Sequence, residues 1–186
     1  LKRNGIDFVM LKIGGRGYES GVISLDEQFT DYIEAAKKAD LDIGVSFYSQ
    51  AVSVTEAVEE ANFVVNQLQS YTIRYPVALV MEEITNDTAR TDTLSVDQRS
   101  RIAEAFLQTI QYDGYHAILY GNEQWLMEKI RPDGLLTDYD VLLNDTNPLP
   151  EYPYEFKMWR YATDISLAGI ENGGSYIISF VDYSMK

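Results

Sequence analysis

Apolar runs of strand length alternate with helix-patterned segments through the first two thirds of this chain. That alternation limits the fold more than any other feature. Segments 8–13, 42–48, 77–82 and 116–120 each read as a buried strand. Between them, 26–39 repeats apolar residues at helical spacing, with Phe29, Ile33 and Ala36 on one face. Ser53-x-x-Glu56 and Ser95-x-x-Gln98 have the form of capping boxes. Each opens a periodic apolar run, Ala57 to Leu68 after the first and Ile102 to Ile110 after the second. A short helix is expected over 123–130. The last third differs: 140–143, 155–159 and 176–180 look like strands with few helices between them, and 144–153 holds three of the five prolines.

Repeated β-α-β units imply a parallel sheet. The expected fold is therefore α/β, an irregular or incomplete (β/α) TIM-like barrel, with a doubly wound open sheet as the competitor. The glycine-rich stretch Gly14 to Gly21 reads as a loop. It follows neither the G-x-G-x-x-G spacing nor that of a phosphate loop, so a nucleotide site is set aside. A length of 186 residues fits one domain, 1–186. The opening residues, Leu1 to Phe8, read like a helix end turning into a strand, as if the domain were cut from a longer protein. A net charge of −14 repels nucleic acid and anionic membranes. The absence of cysteine removes disulfides, a thiol nucleophile and a thiolate zinc site, and the single His116 cannot form a histidine cluster. No cofactor or metal is expected, and no apolar run is long enough to span a membrane.

The chemistry concentrates in Tyr75 to Ile84, an apolar run ending in Glu82 and Glu83. The C-terminal end of a core strand is where α/β barrels carry their catalytic groups. Successive strand residues point to opposite faces, so the two acids cannot share one pocket. Glycoside hydrolysis calls for two cooperating carboxyl groups, and this run offers one to each side. Structural roles compete with functional ones. Glu82 is expected as a buried carboxylate bonded to a Tyr or Arg, Glu83 as a loop-facing or salt-bridged acid, His116 as a packing residue and Trp125 as core.

Several segments, in order, carry a family likeness. They are Gly5 to Ile13, Gly44 to Ala51, Tyr75 to Ile84, Gly114 to Gly121 and Met158-Trp-Arg-Tyr161, with Ala57 to Phe63 and Thr91 to Gln98 between them. The chain resembles the family 25 glycoside hydrolases, lysozymes that cut the muramic-acid linkage of bacterial peptidoglycan. The resemblance covers essentially its whole length. It implies a flattened (β/α) barrel with its site at the C-terminal strand ends. It also implies four acidic positions: an Asp on the first strand, an Asp-x-Glu whose Glu is the proton donor, and an Asp near the C-terminus. Here the first strand and its Asp are absent. The Asp-x-Glu reads Val80-Met81-Glu82, and Ser175 falls at the last Asp, so Glu82 alone is matched. Gly14, Ser46, Met81, Leu142 and Thr146 are expected at strand-end positions where the family places Tyr or Trp. Arg160 sits where a Gln is common. Tyr48, Tyr120, Trp159 and Tyr161 are the expected substrate-stacking platforms.

Val80 supplies neither charge nor a hydrogen-bond acceptor. Losing a stabilising group of that kind costs on the order of a thousandfold in rate. Glu83, Asp87, Asp145 and Glu171 are the candidates to replace it; Glu83 points away by strand parity, and Asp145 is foremost because it follows a core strand. The expected function is a degenerate lysozyme-like (N-acetylmuramidase) domain, a pseudoenzyme. It would bind cell-wall glycan or act as a scaffold in a larger, extracellular or cell-surface bacterial protein. The alternative is an active but altered hydrolase of peptidoglycan with Glu82 as proton donor. The expected partners are peptidoglycan or another amino-sugar glycan, or a protein; nucleic acid and membrane insertion are not expected.

Overall fold

Burial on both faces explains why the central strands read as unbroken apolar runs. The structure, a computed structural model, describes residues 1–2, 5–167 and 170–185, with backbone alone at 166–167 and 170–172. Six strands run parallel: β1 (Phe8–Arg16), β3 (Asp42–Tyr48), β4 (Val77–Val80), β5 (Ala117–Gly121), β6 (Asp140–Asn144) and β7 (Met158–Leu167). β2 (Ile23–Leu25) pairs antiparallel with β1, and β8 (Ile170–Ser179) with β7. The single sheet has the order β2-β1-β3-β4-β5-β6-β7-β8 and curls into a half-barrel, with no ladder joining its two edges among the described residues.

Strand parity divides the side chains into two clusters. Ile43, Val45, Phe47, Leu79, Leu119 and Leu143 face outward. They meet the apolar faces of α1 (Phe29–Lys38), α2 (Val54–Leu68) and α3 (Val96–Tyr112). Ala78, Val80, Ile118, Tyr120, Leu142 and Met158 face inward. Burying each large aliphatic contributes roughly 1.5–3 kcal/mol, so both faces anchor the register. The N-terminal end of the half-barrel is plugged. Phe8 stacks on Tyr75 at 4.1 Å, Tyr75 meets Tyr183 edge-on at 5.6 Å, and Tyr183 packs on His116 at 5.4 Å. The Tyr183 hydroxyl donates to Asp140 Oδ2 at 2.8 Å. His116 is thus a packing residue. The C-terminal strand ends stay open.

Several expected boundaries move. Gly14 and Gly15 lie in β1, not in a loop, because the short strand β2 pairs beside them. The approach is close enough to require glycine: a Cβ at Gly14 would sit 2.2 Å from the Ser24 carbonyl oxygen, and one at Gly15 2.8 Å from that of Tyr48. β4 ends at Val80, so Glu82 sits in the turn beyond it. The strands expected at 155–159 and 176–180 are parts of one long β7–β8 ribbon. A helical turn, α5 (Leu135–Asp138), was not expected, and α4 (Glu123–Glu128) carries Trp125 into the core. The box opening α3 is reciprocal. In the one opening α2, Ser53 accepts from the Glu56 amide, but the Glu56 carboxylate accepts from Val52 N at 2.9 Å.

Candidate functional site

The open end gathers residues delivered by successive strands. Tyr48 ends β3, Tyr120 lies on β5, Arg160 on β7 and Ser175 on β8, and all four line one groove. Lys12, Ser46, Val80, Leu142 and Tyr176 are also in its wall, and the groove continues down the open side of the half-barrel to Phe8 and Tyr75 and past Tyr32 of α1, about 1010 Å³ in all. That is ample for a saccharide. Arg160 Nη1 donates to the Tyr120 hydroxyl at 2.7 Å, and Arg160 Nε to Ser175 Oγ at 2.9 Å. Lys12 Nζ lies 5.2 Å over the Tyr48 ring and 3.4 Å from Asp26 Oδ2.

Glu82 stands at the rim beside this cluster. It is exposed, which corrects the expectation of a buried carboxylate; the chain has left β4 before reaching it. Its carbonyl accepts from Gln50 Nε2 at 3.4 Å. Burial pushes the Tyr120 phenol well above its ordinary value; the neighbouring Glu82 carboxylate pushes it further, and Arg160 opposes. The Tyr48 phenol is raised for the same reasons. Glu83 turns away and pairs with Lys129 at 2.8 Å. The crevice shared by Glu82, Glu83 and Arg99 holds about 10 Å³, room for no more than a water.

Val80 is 2% exposed and packs in the inner apolar cluster. Met81, expected at a groove position, points to the helix layer instead, because it has the opposite strand parity. Thr146 is exposed in the loop after β6. Trp159 and Tyr161 stand outside the groove wall, in a ladder of rings. Trp159 lies 5.7 Å from Tyr161, which stacks on groove-lining Tyr176 at 5.9 Å. The Trp159 indole N–H donates to the Asp145 carbonyl at 2.7 Å. Tyr48, Tyr120 and Glu82 are thus brought together, and Trp159 and Tyr161 form an adjoining surface.

The replacement acids are otherwise engaged. Asp145 Oδ1 accepts from Asn147 N at 2.8 Å, and Asp87 accepts from Tyr18 and from Thr88 N. The side chain of Glu171 lies outside the described residues. Among the described residues no group of three or more His, Cys, Asp or Glu side chains could hold a metal. No helix is long and apolar enough to cross a membrane.

The family model for glycosyl hydrolases family 25 matches residues 1–170. The chain belongs to glycosyl hydrolases family 25. Among solved structures, the modular autolysin LytC of Streptococcus pneumoniae aligns with a TM-score of 0.77 at 21% identity, over 94% of this chain and 41% of that one. LytC in complex with a synthetic peptidoglycan ligand aligns at 0.73 and 19%, over 95% and 41%. A muramidase from Trichobolus zukalii aligns at 0.73 and 17%, over 96% and 84%. The chain therefore spans about two fifths of the autolysin's length. No curated protein matches it by sequence. These likenesses establish a family 25 fold, here an open half-barrel.

One polar cluster near the groove was missed from the sequence. Arg16, at the end of β1, reaches Glu60 Oε1 at 2.7 Å and Glu59 at 3.3 Å on α2, and also the Gly21 carbonyl. Arg90, from the loop after β4, reaches Glu56 at 2.8 Å. Together they pin the loops 17–22 and 83–94 to the start of α2. Glu60, wholly buried, stands among Ala57, Ala61 and Val64 on the apolar face of α2. A charge in that stripe was the available signal.

Proposed function

We propose that this family 25 domain binds a cell-wall glycan, peptidoglycan or a related amino-sugar polymer, without hydrolysing it. The observation that carries this reading is Val80. It stands two residues before Glu82 at the end of β4, and its side chain is packed among Ile118, Tyr120 and Leu142 rather than offering a carboxylate. Hydrolysis needs a second carboxyl at roughly 5–9 Å from the proton donor. Among the described residues, the acids in the groove wall are Asp26, engaged by Lys12, and Asp7, which precedes β1 at the plugged end. What the groove keeps is volume and aromatic surface, the requirements for sugar stacking. The autolysin's complex with a synthetic peptidoglycan ligand supports the ligand class. By the same kinship the setting is extracellular or at a cell surface, within a larger protein.

Incubation with purified peptidoglycan tests this directly. The chain is expected to sediment with the insoluble polymer and to release no reducing ends above the Glu82→Gln variant. A second reading, an altered hydrolase with Glu82 as donor, draws on the exposure of Glu82 beside Tyr120. Reducing ends that appear with the wild-type chain and vanish with Glu82→Gln would put that reading in place of the first.

A further inference from the structure

The groove holds a guanidinium, that of Arg160, with no acidic partner among the described residues. Arg16 pairs with Glu59 and Glu60, Arg74 with Asp42, Arg90 with Glu56 and Arg131 with Asp97. Arg99 and Arg101 bond to backbone carbonyls and do not line this groove. Arg160 forms no ion pair among the described residues; its two bonds go to the neutral hydroxyls of Tyr120 and Ser175. A guanidinium carries five N–H donors in a rigid plane. The two bonds orient that plane and leave one donor on Nη1 and two on Nη2 without a partner among the described residues, on a side chain that lines the groove.

A neutral amide could bridge Tyr120 and Ser175 as well. A half-buried cation costs free energy unless an anion meets it. Gly173 and Gly174, next to Ser175, keep the approach free of bulky side chains, while Lys12 in the same wall is paired with Asp26. We propose, building on the glycan-binding reading, that Arg160 is a specificity residue that takes an oxyanion carried by the sugar, a carboxylate or a phosphate. Charge-assisted bidentate pairing is the contact this geometry favours.

The test is calorimetric titration of the 186-residue chain with three probes. These are a muramic-acid disaccharide, the same disaccharide with its carboxylate converted to the amide, and a phosphorylated N-acetylglucosamine. The anionic probes are expected to bind about tenfold or more tighter than the neutral amide. That advantage should shrink as salt rises. Arg160→Gln should remove the advantage while sparing the neutral amide, and Arg160→Lys should keep part of it. The tighter of the two anionic probes names the oxyanion. Equal affinity for the acid and its amide would overturn the role of Arg160 and leave the glycan reading standing. If no sugar binds, both fall. Should Arg160→Gln melt early, the salt dependence of the wild-type chain decides alone.

Discussion

Tyr120 has one proton and two charged neighbours. Arg160 donates to its oxygen, and the Glu82 carboxylate stands near enough to raise its pKa. Burial first, and Glu82 beside it, hold the phenol neutral across the ordinary pH range. Tyr120→Phe is expected to cost about 0.5–1.5 kcal/mol of stability and to weaken glycan binding, read by urea melts and by titration. Val80→Asp would bury a carboxylate among Ile118 and Leu142. Its expected cost is roughly 3 kcal/mol or more, with no reducing ends gained in a peptidoglycan digest. The rim position of Glu82 followed from the strand-end address of Tyr75 to Ile84. Its tie to Arg160 through Tyr120 did not, because it depends on β5, β6 and β7 lying side by side, and single-strand patterns carry no such register.

Elements with a strong period were legible, and those without one were not. β3 matched at both ends, and α2 and α3 began at their capping serines, since apolar stripes and caps act within a few residues. The three-residue β2 is too short to show a period, and the β7–β8 ribbon is too exposed and polar to alternate cleanly. The Arg16–Glu60 contact joins β1 to α2. Arg16→Met would leave Glu60 buried and unpaired, at an expected cost of about 3–5 kcal/mol in a denaturant melt. Glu56 makes stability depend on pH. Burial alone would raise its carboxyl, but the Val52 amide and the Arg90 and Arg16 guanidiniums outweigh that and hold it below its ordinary value of 4.5. A depressed folded value stabilises above the ordinary value, and that stabilisation is lost as pH falls through the folded one. Glu56→Gln should therefore flatten the acid side of the stability profile, compared by urea midpoints from about pH 6 to about pH 3.

At the scale of the molecule, the half-barrel has a firm centre and two loose margins. β4 and β5 are paired on both sides, while the Phe8–Leu11 stretch of β1 pairs only with β3. Hydrogen exchange should protect β4 and β5 longest and release Phe8–Leu11 earlier. The alternation that opens the sequence announced this parallel centre. The antiparallel ribbons at both margins lie outside its period, which is why the incomplete barrel was legible and its borders were not. The chain has two tryptophans, and the fold places them in different surroundings. Trp125 is sealed in the core, while Trp159 sits two rings from the groove, its indole tied to the loop after β6. The molecule thus carries its own optical probe: with Trp125→Phe, the remaining emission comes from the groove's flank alone, and its colour should shift when a sugar settles against Tyr176.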